Sequence, residues 1–97
     1  MKVINAQFFI KEDKREVFIE DTKALIAETR KEEGCLEYHL YESLEERNLF
    51  IMVEVWADDA AIEIHNQSPL LQKLFGNVAD FSAKAPVLRV SDLIENA

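Results

Sequence analysis

Residues Leu49 to Trp56 read LFIMVEVW, apolar at seven of eight positions. A run this short and this rich in β-branched and aromatic side chains is a strand, and its two faces are both apolar. Leu49, Ile51, Val53 and Val55 share one side; Phe50, Met52 and Trp56 share the other, which only Glu54 interrupts. Such a strand needs cover on both faces, so it belongs inside a sheet that is packed on two sides.

The rest of the chain supplies its neighbours. Val3 to Ile10 (VINAQFFI) forms a first strand. Asp13 is placed to cap a helix running to about Glu33, with Glu16 completing a capping box and Gly34 stopping it. Helical spacing puts Phe18, Thr22, Leu25 and Thr29 on the packed side and Glu16, Glu20, Lys23, Arg30 and Lys31 on the other. Cys35 to Glu42 (CLEYHLYE) alternates as a second strand, with Leu36, Tyr38 and Leu40 on one face, and Ser43 to Asn48 is a hairpin-length connection. Asp58 caps a short helix through about Asn66. Ser68-Pro69 opens another, closing near Gly76. Ala85 to Leu93 is a last strand, which Pro86 restricts to an edge or a strand start.

The resulting order, βαββααβ, predicts an α+β, ferredoxin-like fold: a four-stranded antiparallel sheet with its helices on one face. Ninety-seven residues allow one such domain, spanning 1–97. Because the helices cover only one face of the third strand, a second copy of the chain is expected on the other, giving a homodimer. Four covered apolar side chains at about 1.5 to 3 kcal/mol each make that pairing energetically reasonable.

Composition narrows the function. A formal charge of −8 repels phosphate backbones and anionic lipid, which argues against nucleic acid and membrane partners. No apolar run reaches the roughly 20 residues of a membrane-spanning helix, and the first ten residues lack a secretory pattern. The single cysteine, Cys35, has no partner for a disulfide or a thiolate metal site, so a cytoplasmic location is expected. Two histidines on separate elements make no zinc site, and neither a phosphate-binding glycine loop nor a Gly-x-Ser-x-Gly elbow is present.

The segment from Glu33 to Leu74 carries a Gly-Cys-Leu strand, then Phe50, Glu54-x-Trp56, an acidic helix start, His65 and Ser68-Pro69. In this pattern it resembles the antibiotic biosynthesis monooxygenase (ABM) superfamily. The resemblance implies a dimeric α+β barrel and, for many members, oxidation of quinols or anthrones by dioxygen without a cofactor. Other members are isomerases or haem degraders. The haem-degrading pattern breaks here, because ungapped comparison sets His65 where those relatives have tryptophan and Phe75 where they have the axial histidine.

His65 is the leading site residue. It lies inward on its short helix, between Ala61 and Ile62, and reads either as a core histidine bonded to a backbone carbonyl or as a base facing a cavity. The resemblance favours the second, since an imidazole with its ordinary affinity for protons can take one from a phenol near neutral pH. Glu54 shares a face with Phe50, Met52 and Trp56 and must be satisfied, either by orienting His65, by bonding substrate, or by a structural contact. Phe50 and Trp56 are wall or packing; Asn5, Gln7 and Tyr38 are candidate polar lining; Leu71, Leu74 and Phe75 form a stripe that is core or pocket roof. His39 belongs to a surface or an interface, and Cys35 is a small packed residue. The expected function is a cofactor-free monooxygenase of a quinol-like or phenolic small molecule, using no metal. The alternatives are an isomerase or epimerase of a small carbonyl metabolite, for which Lys73, Lys84 and Arg89 are the available anion ligands, and a non-catalytic binding dimer.

Overall fold

A computed structural model describes residues 1–94. Its elements are β1 (Lys2–Ile10), a 3-10 turn (Glu12–Lys14), α1 (Arg15–Thr29), β2 (Cys35–Glu42), β3 (Leu49–Trp56), α2 (Asp59–His65), α3 (Pro69–Phe81) and β4 (Ser82–Asp92). The four strands form one antiparallel sheet in the order β2-β3-β1-β4, so β3 and β1 occupy the centre, as the doubly apolar β3 requires.

Strand periodicity sorts the side chains. Ile4, Ala6, Phe8 and Ile10 of β1 and Phe50, Met52, Glu54 and Trp56 of β3 are buried beneath the helices. α1 contributes the expected stripe, Phe18, Thr22, Leu25 and Thr29, all fully buried. Phe18 bridges Phe8 and Phe50, with ring centroids 5.5 and 5.0 Å away, and Phe75 of α3 extends the cluster to Phe8 at 6.2 Å. On the opposite face Val3, Phe9, Leu49, Ile51 and Val53 remain partly exposed.

Local signals fared unevenly. Asp58 and Ser68 act as expected: their side chains accept from the backbone N–H groups of Ala61 and Leu71. Asp13 does not cap α1; it lies within the 3-10 turn, and the residue before α1, Lys14, makes no side-chain cap bond. Nor does α1 run to Glu33. It stops at Thr29, and the Arg30 guanidinium donates to the carbonyl of Tyr38, fastening the reversal into β2. Gly34 therefore ends no helix. A Cβ there would sit 2.2 Å from the Cβ of Ala61, so this glycine lets α2 rest directly on the α1–β2 turn. α3 passes through Gly76 to Phe81, because Leu71, Leu74, Val78 and Phe81 keep one apolar face across the glycine. β4 starts at Ser82, earlier than Ala85. Pro86 falls in the irregular stretch between the pairs Gln7–Val87 and Phe9–Lys84, on an edge strand, where its missing N–H is tolerated.

Candidate functional site

α2 is only seven residues long, and its buried positions are Ala61 and His65, one turn apart. Ala61 is held against Gly34, which sets the helix's depth; His65 then enters the core with 2% of its surface exposed. There it lies over the indole of Trp56, with centroids 4.5 Å apart, and edge-on to Tyr38 at 5.4 Å. Both ring nitrogens face polar groups. Nδ1 is 3.0 Å from Glu32 Oε2, and Nε2 is 3.4 Å from the Tyr38 hydroxyl, long for such a bond.

Glu54 is the second buried polar group. It is paired with Tyr38 across the β2–β3 ladder, is 6% exposed, and its Oε1 accepts from the Trp56 indole N–H at 3.0 Å. Burial pushes its carboxyl up to about 7; the indole bond opposes this, and the charge of Glu32 adds to it. The group is thus poised between its two protonation states near neutral pH. Burial, reinforced by Glu54, also raises the Tyr38 phenol far above its ordinary range.

These groups meet at an apolar cavity of about 50 Å³. Tyr38, Glu54, His65 and Asn66 line its polar side, and Ile4, Ala6, Phe8, Met52, Leu71, Leu74, Phe75 and Leu88 close it. The volume is roughly a third of the engineered cavity that accommodates benzene, so an aromatic ring enters only if the wall moves. The least buried part of that wall is at the rim, where Phe75 is 37% and Leu88 51% exposed.

Of the nine residues expected at a site, Tyr38, Glu54, His65, Leu71 and Phe75 are brought to the cavity. Four are not. Asn5 and Gln7 lie on the uncovered sheet face, paired with Val53 and Ile51, because β1 turns the alternate set Ile4, Ala6 and Phe8 toward the helices. Phe50 packs on Phe18 with the Arg15 guanidinium 5.3 Å from its ring. Trp56 is fully buried behind Glu54 and His65. Among the described residues Glu54 makes no bond to His65; the carboxylate that holds the imidazole is Glu32, in the turn after α1. Sequence reasoning missed Glu32, along with Asn66 and Leu88. Cys35 is packed against the core, and burial together with Glu32 and Glu54 raises its thiol, the reverse of an activated nucleophile. Among the described residues no three histidine, cysteine or acidic side chains converge as a metal site. No helix there is long and apolar enough to cross a membrane.

The chain is similar to known proteins along its whole described length. "Putative monooxygenase YcnE" of Bacillus subtilis is 39% identical over 72 residues, which cover 74% of this chain and 76% of that one. A crystal structure of an antibiotic biosynthesis monooxygenase superposes with a TM-score of 0.89 at 26% identity, covering 97% of this chain and 99% of that one. Rv0793 from Mycobacterium tuberculosis gives a TM-score of 0.91 at 25% identity, over 99% and 97% of the two chains. The profile of the antibiotic biosynthesis monooxygenase (ABM) family matches residues 1–76, and the chain belongs to that family.

Proposed function

We propose that the protein is a cofactor-independent monooxygenase that oxidises a quinol-like or phenolic small molecule with dioxygen. The observation that carries this reading is the convergence of Glu54, His65 and Tyr38 on one apolar cavity, with the Glu54 carboxyl near neutrality. An electron-rich phenolate can itself reduce dioxygen, so the protein's part is to remove a proton, hold the ring and keep water away. Hydroquinone plus dioxygen then yields a hydroxyquinone and one water. His65 and Glu54 are the proton-handling residues, and Leu71, Leu74 and Phe75 hold the ring. The family assignment supports monooxygenase chemistry.

The isomerase alternative gains nothing from the site. The cavity lining contains no lysine or arginine to hold an anion; Lys73 pairs with Asp21 and Lys84 lies over the Phe9 ring. The proposal includes a homodimer in the cytoplasm, formed through the uncovered sheet face. Its support is the row of partly exposed apolar residues on β1 and β3, together with the buried, unpartnered Oδ1 of Asn5.

Oxygen consumption with a panel of hydroquinones tests the activity. His65→Ala is expected to lower the rate by at least about 100-fold while the circular dichroism spectrum is retained. Equal rates in variant and parent overturn the proposal.

A further inference from the structure

The His65 ring is met by a protein group at each nitrogen, and the two groups differ in kind. A carboxylate can only accept, so Glu32 Oε2, 3.0 Å away, places the imidazole proton on Nδ1. Nε2 is then a bare lone pair, and the group in front of it is the Tyr38 hydroxyl, which can donate. Glu32 itself stands at a boundary. Its side chain is 23% exposed and it lines two outer grooves, one with Glu28, Gln67 and Ser68, the other with Gly34 and Asp58. Tyr38, at the other end, lines the inner cavity and is 2% exposed. One row of three side chains, drawn from the α1–β2 turn, α2 and β2, therefore runs from the outer surface to the cavity wall.

We infer that Glu32, His65 and Tyr38 form a proton relay in which the Tyr38 hydroxyl meets the substrate and Glu32 is the positioning residue that fixes the imidazole tautomer. This rests on the oxidation proposed above. In the relay step the substrate O–H bond breaks and its proton goes to the Tyr38 oxygen. The Tyr38 proton passes to His65 Nε2, leaving an imidazolium beside the Glu32 carboxylate and a substrate phenolate in the cavity. No electrons move in this step, and tyrosine ends as it began, a neutral phenol. A free tyrosinate never forms, in keeping with a phenol that burial makes hard to ionise. The positive charge appears next to Glu32, whose Oε2 faces Nδ1 and whose Oε1 is buried with no other hydrogen-bond partner.

Long-range ¹⁵N–¹H NMR of the full-length protein reads the tautomer with no substrate present. The parent is expected to carry the proton on Nδ1, and Glu32→Gln, whose amide can donate as well as accept, is expected to lose that preference. In oxygen-uptake assays with a hydroquinone, Glu32→Gln and Tyr38→Phe are each expected to lower kcat about 10- to 100-fold with KM changed less than about threefold. Acetate is expected to restore part of the rate to Glu32→Ala through the outer groove, and circular dichroism verifies that each variant folds. An Nε2-protonated parent, an unchanged tautomer in Glu32→Gln, or full kcat in Tyr38→Phe overturns the relay even if oxidation stands. A parent inactive on every hydroquinone but with the expected tautomers overturns the oxidation and the relay step with it, leaving the positioning by Glu32 supported.

Discussion

Glu42 and Glu54 project from the same sheet face, at opposite ends of the β2–β3 ladder, and their surroundings drive them in opposite directions. Glu42 is enclosed by donors. Arg15 grips it through two nitrogens, and the Asn48 backbone N–H donates to Oε2 at 2.8 Å from a left-handed residue, φ 68°, a conformation asparagine tolerates. The Arg15 bond and the Asn48 amide hold the Glu42 carboxyl down at about 2. Glu54 has one indole N–H and no cation, so burial dominates and lifts it to about 7. One end of the ladder is a clasp; the other holds a carboxyl away from water in the state where it can exchange a proton. Burial at one end and donor supply at the other, not residue type, separate the two.

The strongest way to break this contrast is Glu54→Gln. It is expected to lower hydroquinone oxidation by about 100-fold or more, measured as oxygen uptake, while making the fold more resistant to urea at pH 8. The linkage sets the sign. The folded protein keeps the Glu54 proton to about 7, whereas the unfolded chain releases it near the ordinary value of 4.5, so the parent loses stability as pH rises between these values. The loss amounts to about 3 kcal/mol, and urea midpoints for parent and variant at pH 5 and pH 8 measure it. A variant less stable than the parent at pH 8 shows that Glu54 is a structural strut.

Gly34→Ala sharpens the contrast from a distance. The added methyl forces α2 off the turn, and unfolding is expected to cost about 1 to 3 kcal/mol less by urea titration, with the Glu32–His65 contact loosened as well. The smallest effect belongs to the clasp. Arg15→Ala is expected to lower the urea midpoint at pH 7 less than Gly34→Ala does, since solvent screens the pair, and to leave oxygen uptake unchanged. Its sign is the reverse of that for Glu54: a depressed carboxyl stabilises above its ordinary value, and that benefit disappears as pH falls from 4.5 toward 2. Acid titration of the folded fraction checks it.

The architecture was legible because periodicity carried it. Phe18, Thr22, Leu25 and Thr29 repeat at helical spacing, β3 announced its central place, and Asp58 and Ser68-Pro69 marked two helix starts. His65 and Glu54 stood out as polar residues in apolar company. Asn5 and Gln7 were misassigned although they alternate with Ile4, Ala6 and Phe8, a pattern that by itself sends them to the uncovered face. Glu32 left no signal at all. It is one of nineteen acidic residues, it lies in a turn with no period of its own, and its contact with His65 depends on the close approach of α2 at Gly34. Glu54's partner could not be read either, since a carboxylate on a strand face has as many potential neighbours as the sheet has packing solutions.

The small hollow behind Phe75 has a kinetic corollary. With about 50 Å³ behind a ring that leans on Phe8, the protein at rest offers a diatomic gas more room than it offers an organic ligand. On the oxidation proposed above, admission of the larger molecule requires the rim of Phe75 and Leu88 to open, and apparent affinity scales with the fraction of molecules in which it is open. On that reading a thin planar compound demands a smaller opening than a bulky one, which sets a size filter ahead of the chemistry.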